Sequence, residues 1–178
     1  MFSMVSELAF LGFLLSFLGD PRIWIAVSVI LFAIRIICRR KKIDKFLWAK
    51  GFIIFVGISM SLAFLSSYVL KDIFNVPRPC SVNPSDSNFS EYCLTDPSFP
   101  SGHTTTGFAV ATGLFLVFRK RLKSKSIFFF LVGILPAIGR VLQGVHTFAD
   151  VTGGAVLGIL FSFVFYLILT TIFKNLKK

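Results

Sequence analysis

Seven side chains in this sequence are of the kinds that hold compact anions or move protons. They fall in three clusters: Lys71 and Arg78; Ser101 and His103; Arg140, His146 and Asp150. The chain has two histidines, and both are in this set. A lone histidine is more often structural than catalytic. Two of two, beside three cations and an aspartate, point to a site. His146 and Asp150 are four apart, so on a helix they face the same way, one turn from each other. The carboxylate can take one ring N–H and leave the other nitrogen free to attack or to accept a proton. The plainer reading is a capping or solubilising pair at a helix start. Lys71, Arg78 and Arg140 come from separate segments. Arginine offers a planar fork and lysine a point charge, and together they match a tetrahedral oxyanion and the charge of its transition state. Snorkelling at a membrane edge is the alternative for each cation alone. Pro100-Ser101-Gly102-His103 precedes an apolar stretch. Gly102 lets a backbone N–H at a helix start approach an anion, and His103 there can protonate a departing alkoxide. An ordinary turn and N-cap would explain the same tetrapeptide.

The elements that must position these groups are apolar. Of 178 residues, 55% are hydrophobic and 15% charged, Phe occurs 23 times, and the mean hydropathy is +0.82. The apolar residues come in blocks near the roughly 20 residues that cross a bilayer as helix. Six candidate spans follow, at about 4–18, 22–38, 46–70, 103–118, 126–143 and 149–173. The expectation is an all-α polytopic membrane protein in which residues 1–178 form one domain. The first span is the weakest, because Glu7 interrupts it. A retained segment is expected there. A helix lying along the surface and a cleaved signal are the alternatives, and the missing basic n-region counts against the signal.

The net charge of +11 would suggest nucleic acid in a soluble protein. Here 14 of the 19 basic residues fall in one set of connections: Arg39, Arg40, Lys41, Lys42, Lys45 and Lys50; Arg119, Lys120, Arg121, Lys123 and Lys125; Lys174, Lys177 and Lys178. The positive-inside rule puts that set, with both termini, in the cytoplasm, and turns 71–102 and 140–150 outward. Trp24 and Trp48 lie near span ends on opposite sides, where an aromatic belt or ordinary packing would have them. Cys80 and Cys93 share the outward loop, with twelve residues between them. A disulfide is predicted there, worth about 3 kcal/mol for a loop of that size in the chain-entropy model. Two free thiols are the alternative. Cys38 is expected on the cytoplasmic side as a packing residue.

Lys71-(six residues)-Arg78-Pro79, Pro100-Ser101-Gly102-His103 and Arg140-(five residues)-His146-(three residues)-Asp150 together resemble the three-part signature of the type 2 phosphatidic acid phosphatase superfamily. All three parts occur in order. The signature spans residues 71–150, and the six-span layout extends the resemblance over nearly the whole chain. The resemblance implies a six-helix membrane bundle and a lipid phosphatase. His146 would be the nucleophile that forms a phosphohistidine, and Asp150 would orient it. His103 would be general acid and then base. Lys71, Arg78, Ser101, the Gly102 amide and Arg140 would hold the phosphate. No metal or other cofactor is implied, and neither nucleic acid nor a protein partner. One departure stands out: Gly139 occupies the position before the arginine where the family usually has serine. Loss of that hydroxyl contact is expected to have a modest effect on phosphate binding.

The chain looks most like bacterial lipid A 1-phosphatases and phosphatidylglycerophosphate phosphatases, with undecaprenyl pyrophosphate a third substrate candidate. Lipid A 1-phosphate, presented on the periplasmic face of the inner membrane, is the favoured expectation on overall similarity. A lipid phosphotransferase would share the phosphohistidine and pass its group to an alcohol instead of water. A non-catalytic lipid-binding or transport protein would also carry basic cytoplasmic loops, but it would not need the full set of site residues. A haloperoxidase, which shares the site, is soluble and does not fit this hydropathy.

Overall fold

The computed structural model describes residues 2–40, 47–82 and 93–175, and every regular element in them is helical. Lys41, Lys42, Lys45, Lys177 and Lys178 of the expected cytoplasmic set lie outside the described residues. Helix α1 (Phe2–Ser16) passes through a 3-10 turn, Phe17–Gly19, into α2 (Pro21–Arg40). The entry to α2 is written locally. Asp20 Oδ1 accepts from the Arg22 N–H at 2.8 Å, and proline takes the first helical position, where no N–H is needed. The Trp24 indole N–H donates to Leu18 O at 2.7 Å and ties the turn to the new helix. Next come α3 (Leu47–Phe74), the single turn α4 (Pro79–Val82) and α5 (Gly102–Leu122). A 3-10 segment, Lys123–Phe130, leads into α6 (Leu131–Leu142), and α7 (Phe148–Asn175) follows.

Helices fall in the stretches expected from the sequence, with the fifth beginning as a 3-10 segment and becoming α-helical at Leu131. Among the described residues, four helical stretches are long and apolar enough to cross a bilayer: 7–34, 56–82, 102–142 and 148–172. The first and third each run through one of the 3-10 junctions. Large apolar side chains such as Phe10, Phe13, Ile30, Leu65, Phe163 and Leu167 point outward, as lipid-facing surfaces do.

Helix α5 is the hub and packs against α3, α6 and α7. Its apolar core is Val110, Leu114 and Leu116 with Val56 and Met60 of α3. Against α7 it relies on small residues. A Cβ at Gly158 would lie 2.4 Å from Thr105 O, and Ser162 Oγ donates to Ala109 O at 2.6 Å. In lipid, where burial gives little drive for helices to associate, such backbone approach and interhelical hydrogen bonding supply it. The two ends of α5 differ in chemistry. Ser101 and His103 lie at its start; Arg119, Lys120 and Arg121 occupy its last turn, where Arg119 meets the Tyr166 hydroxyl at 3.1 Å.

Helix α1 is packed, not peripheral. It lies along α6, where Gly12 and Gly139 face each other so closely that neither has room for a Cβ. Glu7, which weakened the sequence reading of this segment, sits on the exposed face.

Candidate active site

Each site residue stands at a helix end or in a loop beside one. Lys71 is in the last turn of α3, and Arg78 immediately precedes α4. Ser101 caps α5, and Gly102 and His103 open it. Arg140 is in the last turn of α6. The chain then turns through Gly144, whose φ of 67° suits glycine, to His146 before α7. Lys71, Arg78, Ser101, Arg140, His146 and Asp150 are all buried, and His103 is half-buried.

The three clusters converge. Arg78 Nη1 lies 3.2 Å from His146 Nε2 and donates to Val145 O at 3.3 Å. Since arginine has only donors, Nε2 is the acceptor, which places the ring proton on Nδ1. Nδ1 faces Asp150 Oδ2 at 3.6 Å, an electrostatic contact longer than a hydrogen bond, and has no hydrogen-bond partner. The first-motif cation and third-motif histidine thus touch directly. Ser101 N–H donates to Asp150 O at 3.0 Å, which joins the second cluster to the third. Burial, reinforced by Arg140 and Arg78 and opposed by Asp150, lowers the His146 pKa to about 4. The ring is therefore neutral near pH 7, with its Nε2 lone pair facing Arg78 Nη1.

Asp150 meets both sequence readings at once. Its Oδ2 accepts from Thr147 N–H at 2.7 Å, while Thr147 Oγ1 accepts from Asp150 N–H at 3.2 Å. This reciprocal pair is a capping box at the start of α7. Ser98 Oγ donates to Oδ1 at 3.3 Å. The same carboxylate both caps the helix and faces the histidine.

Other participants escaped the sequence reading. The Asp96 carboxylate spans two cations: Oδ2 lies 2.6 Å from Lys71 Nζ and Oδ1 2.8 Å from Arg78 Nη2. Arg78 Nε also donates to Asp96 O at 2.9 Å, and Lys71 Nζ donates to Pro97 O. Burial pushes the Asp96 carboxyl up, but the hydrogen bonds and charges of Lys71 and Arg78 outweigh it and hold it below the usual carboxylate range. The one available hint was an acid five residues before Ser101. Gln143 Oε1 accepts from Arg140 Nη1 at 2.9 Å and from Ser16 Oγ at 3.2 Å. Arg140 Nε is buried without a partner.

Cys80 and Cys93 are disulfide-bonded, as expected, with Cα atoms 5.9 Å apart. The bond braces α4 against the strand of chain that carries Asp96. Among the described residues, no three His, Cys, Asp or Glu side chains cluster closely enough to share a metal ion.

A helical membrane scaffold with a cation-lined histidine site at one end defines a narrow class of protein. Residues 51–174 match the family model described as the PAP2 superfamily, and the chain belongs to that superfamily. It is 35% identical over 103 residues to a dihydrosphingosine 1-phosphate phosphatase of Schizosaccharomyces pombe, covering 51% of this chain and 24% of that protein. It is 27% identical over 114 residues to the undecaprenyl-diphosphatase BcrC of Bacillus subtilis, covering 64% and 56%. With the lipid A 1-phosphatase of Porphyromonas gingivalis it shares 37% over 78 residues, covering 44% and 18%. The chain thus spans less than two thirds of each relative. A crystal structure of a transmembrane PAP2 type phosphatidylglycerolphosphate phosphatase from Bacillus subtilis shares the fold, with a TM-score of 0.65 at 21% identity over 96% of this chain and 85% of that one.

Proposed function

We propose that this protein is a membrane lipid phosphatase that works through a phosphohistidine. The contact between Arg78 Nη1 and His146 Nε2 carries the reading: the nucleophilic lone pair and a phosphate-binding donor meet at one point. A phosphate seated against Lys71, Arg78 and Arg140 has its phosphorus in front of Nε2. Nε2 attacks, the P–O bond to the lipid breaks, and His103 protonates the leaving oxygen. The ring then carries phosphate on Nε2 and hydrogen on Nδ1, and Asp150 offsets its charge. In the second half, His103 takes a proton from water, the oxygen attacks phosphorus, and the P–N bond breaks to release inorganic phosphate and neutral His146. Ser101 and the Gly102 N–H add donors at the start of α5.

The three named relatives all act on phosphorylated lipids, which supports a lipid phosphate monoester or diphosphate as substrate. Lipid A 1-phosphate remains the favoured substrate, with the third relative in its support. We place the protein in a bacterial inner membrane with six crossings, both termini cytoplasmic and the site facing the periplasm, on the charge distribution of the sequence.

The test is phosphate release by purified protein and a His146→Ala variant, with chelator present. The panel is lipid A, phosphatidylglycerophosphate, phosphatidic acid, undecaprenyl pyrophosphate and a soluble phosphate ester. Chelator-resistant release that disappears in the variant is expected, fastest on lipid A. Release unchanged in His146→Ala would sink the mechanism.

A further inference from the structure

We propose that Ser16 and Gln143 form a relay that positions Arg140, so that helix α1 completes the anion site from outside the family-matched region. The inference rests on the phosphatase reading above. Residues 51–174 carry the family match, and α1 lies before them. Yet α1 reaches the site. Ser16 Oγ shares its one hydrogen between Gly12 O at 2.8 Å and Gln143 Oε1 at 3.2 Å, and the same Oε1 receives Arg140 Nη1 at 2.9 Å. Ser16, Gln143 and Arg140 are 4%, 1% and 7% exposed, so water does not compete for these bonds.

The geometry dictates which edge of the guanidinium is used. With Nη1 held by Gln143, the edge made by Nε and Nη2 remains, and Nε is a buried donor without a partner. That edge presents two parallel N–H groups, the arrangement that binds phosphate oxygens bidentately. A guanidinium without its Nη1 anchor would rotate about its terminal torsions and present any edge.

Packing explains how α1 comes so near. A Cβ at Gly139 would lie 2.8 Å from Ser16 Oγ and 2.5 Å from Gly12 O. The hydroxyl that the family pattern places at position 139 is absent, and the Ser16 hydroxyl from the neighbouring helix lies against that same spot. The next turn continues the contact, since a Cβ at Gly19 would lie 2.6 Å from His103 O. The N-terminal segment therefore abuts elements of both the second and third motifs.

The experiment compares Ser16→Ala, Gln143→Leu and the double variant in detergent. Ser66→Ala, whose hydroxyl bonds only within its own helix, serves as control. Readouts are kcat/KM on the best lipid substrate, inhibition by orthovanadate, and thermal melting. Gln143→Leu is expected to lose about tenfold to a hundredfold in kcat/KM, the range for a hydrogen bond to a charged group. Ser16→Ala is expected to lose about twofold to tenfold, as for a neutral bond. Orthovanadate affinity should fall in parallel while cooperative melting persists. Because Ser16 acts through Gln143, the double variant should be no worse than Gln143→Leu. Normal kcat/KM and vanadate affinity in Gln143→Leu, or losses that simply multiply in the double variant, overturn the relay. A wild-type protein that releases no phosphate from any lipid overturns the functional reading instead.

Discussion

Adding the family's serine at position 139 should harm this protein, and the structure says by what route. Gly139 lies at the contact between α1 and α6. A Cβ there would stand 2.5 Å from Gly12 O, 2.8 Å from Ser16 Oγ and 2.9 Å from Ser16 N. The obstruction is largely backbone, which cannot rotate away. The reverse contact is as tight, with a Cβ at Gly12 lying 2.7 Å from Gly139 O and 2.8 Å from Gln143 Cγ. Carbon contacts settle at about 3.5–4.0 Å, so the helices must part by about 1 Å. Overpacking of this kind costs about 1–3 kcal/mol. A shift of that size also stretches the 3.2 Å bond from Ser16 to Gln143 beyond hydrogen-bond length. Gly139→Ser and Gly139→Ala should therefore both melt lower and both lose activity, and Gly12→Ala should resemble them. Melting in detergent and phosphate release on the same samples make the comparison. If Gly139→Ser matched or exceeded wild type while Gly139→Ala fell, a missing hydroxyl would be the right account and the packing argument would be refuted.

Three further expectations follow from the site. Because the folded-state pKa of His146 is lowered from 6.5 to about 4, the reactive neutral ring persists to low pH. The loss of kcat/KM assigned to His146 should therefore come only as pH falls through about 4. Stability has the same sign, because between those two values the unfolded chain binds a proton that the native ring refuses. Melting should weaken as pH drops across that window, and His146→Gln should flatten this contribution. Asp96→Asn should remove the charge that Lys71 and Arg78 share, at a cost of about 1–3 kcal/mol. The low end is expected, since the Asp96 side chain is 41% exposed. Orthovanadate should restore melting more in this variant than in wild type; an equal shift would mean that Asp96 does not stand in for an anion. Reducing the Cys80–Cys93 bond should cost about 3 kcal/mol of stability in the chain-entropy model, seen as a lower melting midpoint, and slow the band on a gel. Unchanged mobility with two titratable thiols would exclude the bond.

The helices were legible because each is a long apolar block with local punctuation. The basic run from Arg119 marked the end of the block that became α5. The clusters at Lys71 and Arg78, Ser101 and His103, and Arg140, His146 and Asp150 were legible because fixed spacing lies within one turn or loop. What stayed hidden depends on distance in sequence. Asp96 is 25 positions from Lys71, and Ser16 is 127 from Gln143. No periodicity marks such partners. Gly139 shows a subtler limit. Read alone it was a serine lacking its hydroxyl; in place it is the gap through which another helix approaches. For Asp150, capping and orienting looked like rival readings, and the structure joins them.

That union at Asp150 has a consequence for how the protein is made. Oδ2 is bound to the first turn of α7 and Oδ1 to Ser98, so the carboxylate cannot swing independently of the helix. An ordinary orienting aspartate can be right or wrong in a folded protein. Here its position is set by the same bonds that start the helix, so in the proposed mechanism winding the first turn of α7 and bringing the carboxylate to face His146 Nδ1 are one event. Damage to that turn, even by a residue that never meets phosphate, should leave assembled protein with a misdirected ring.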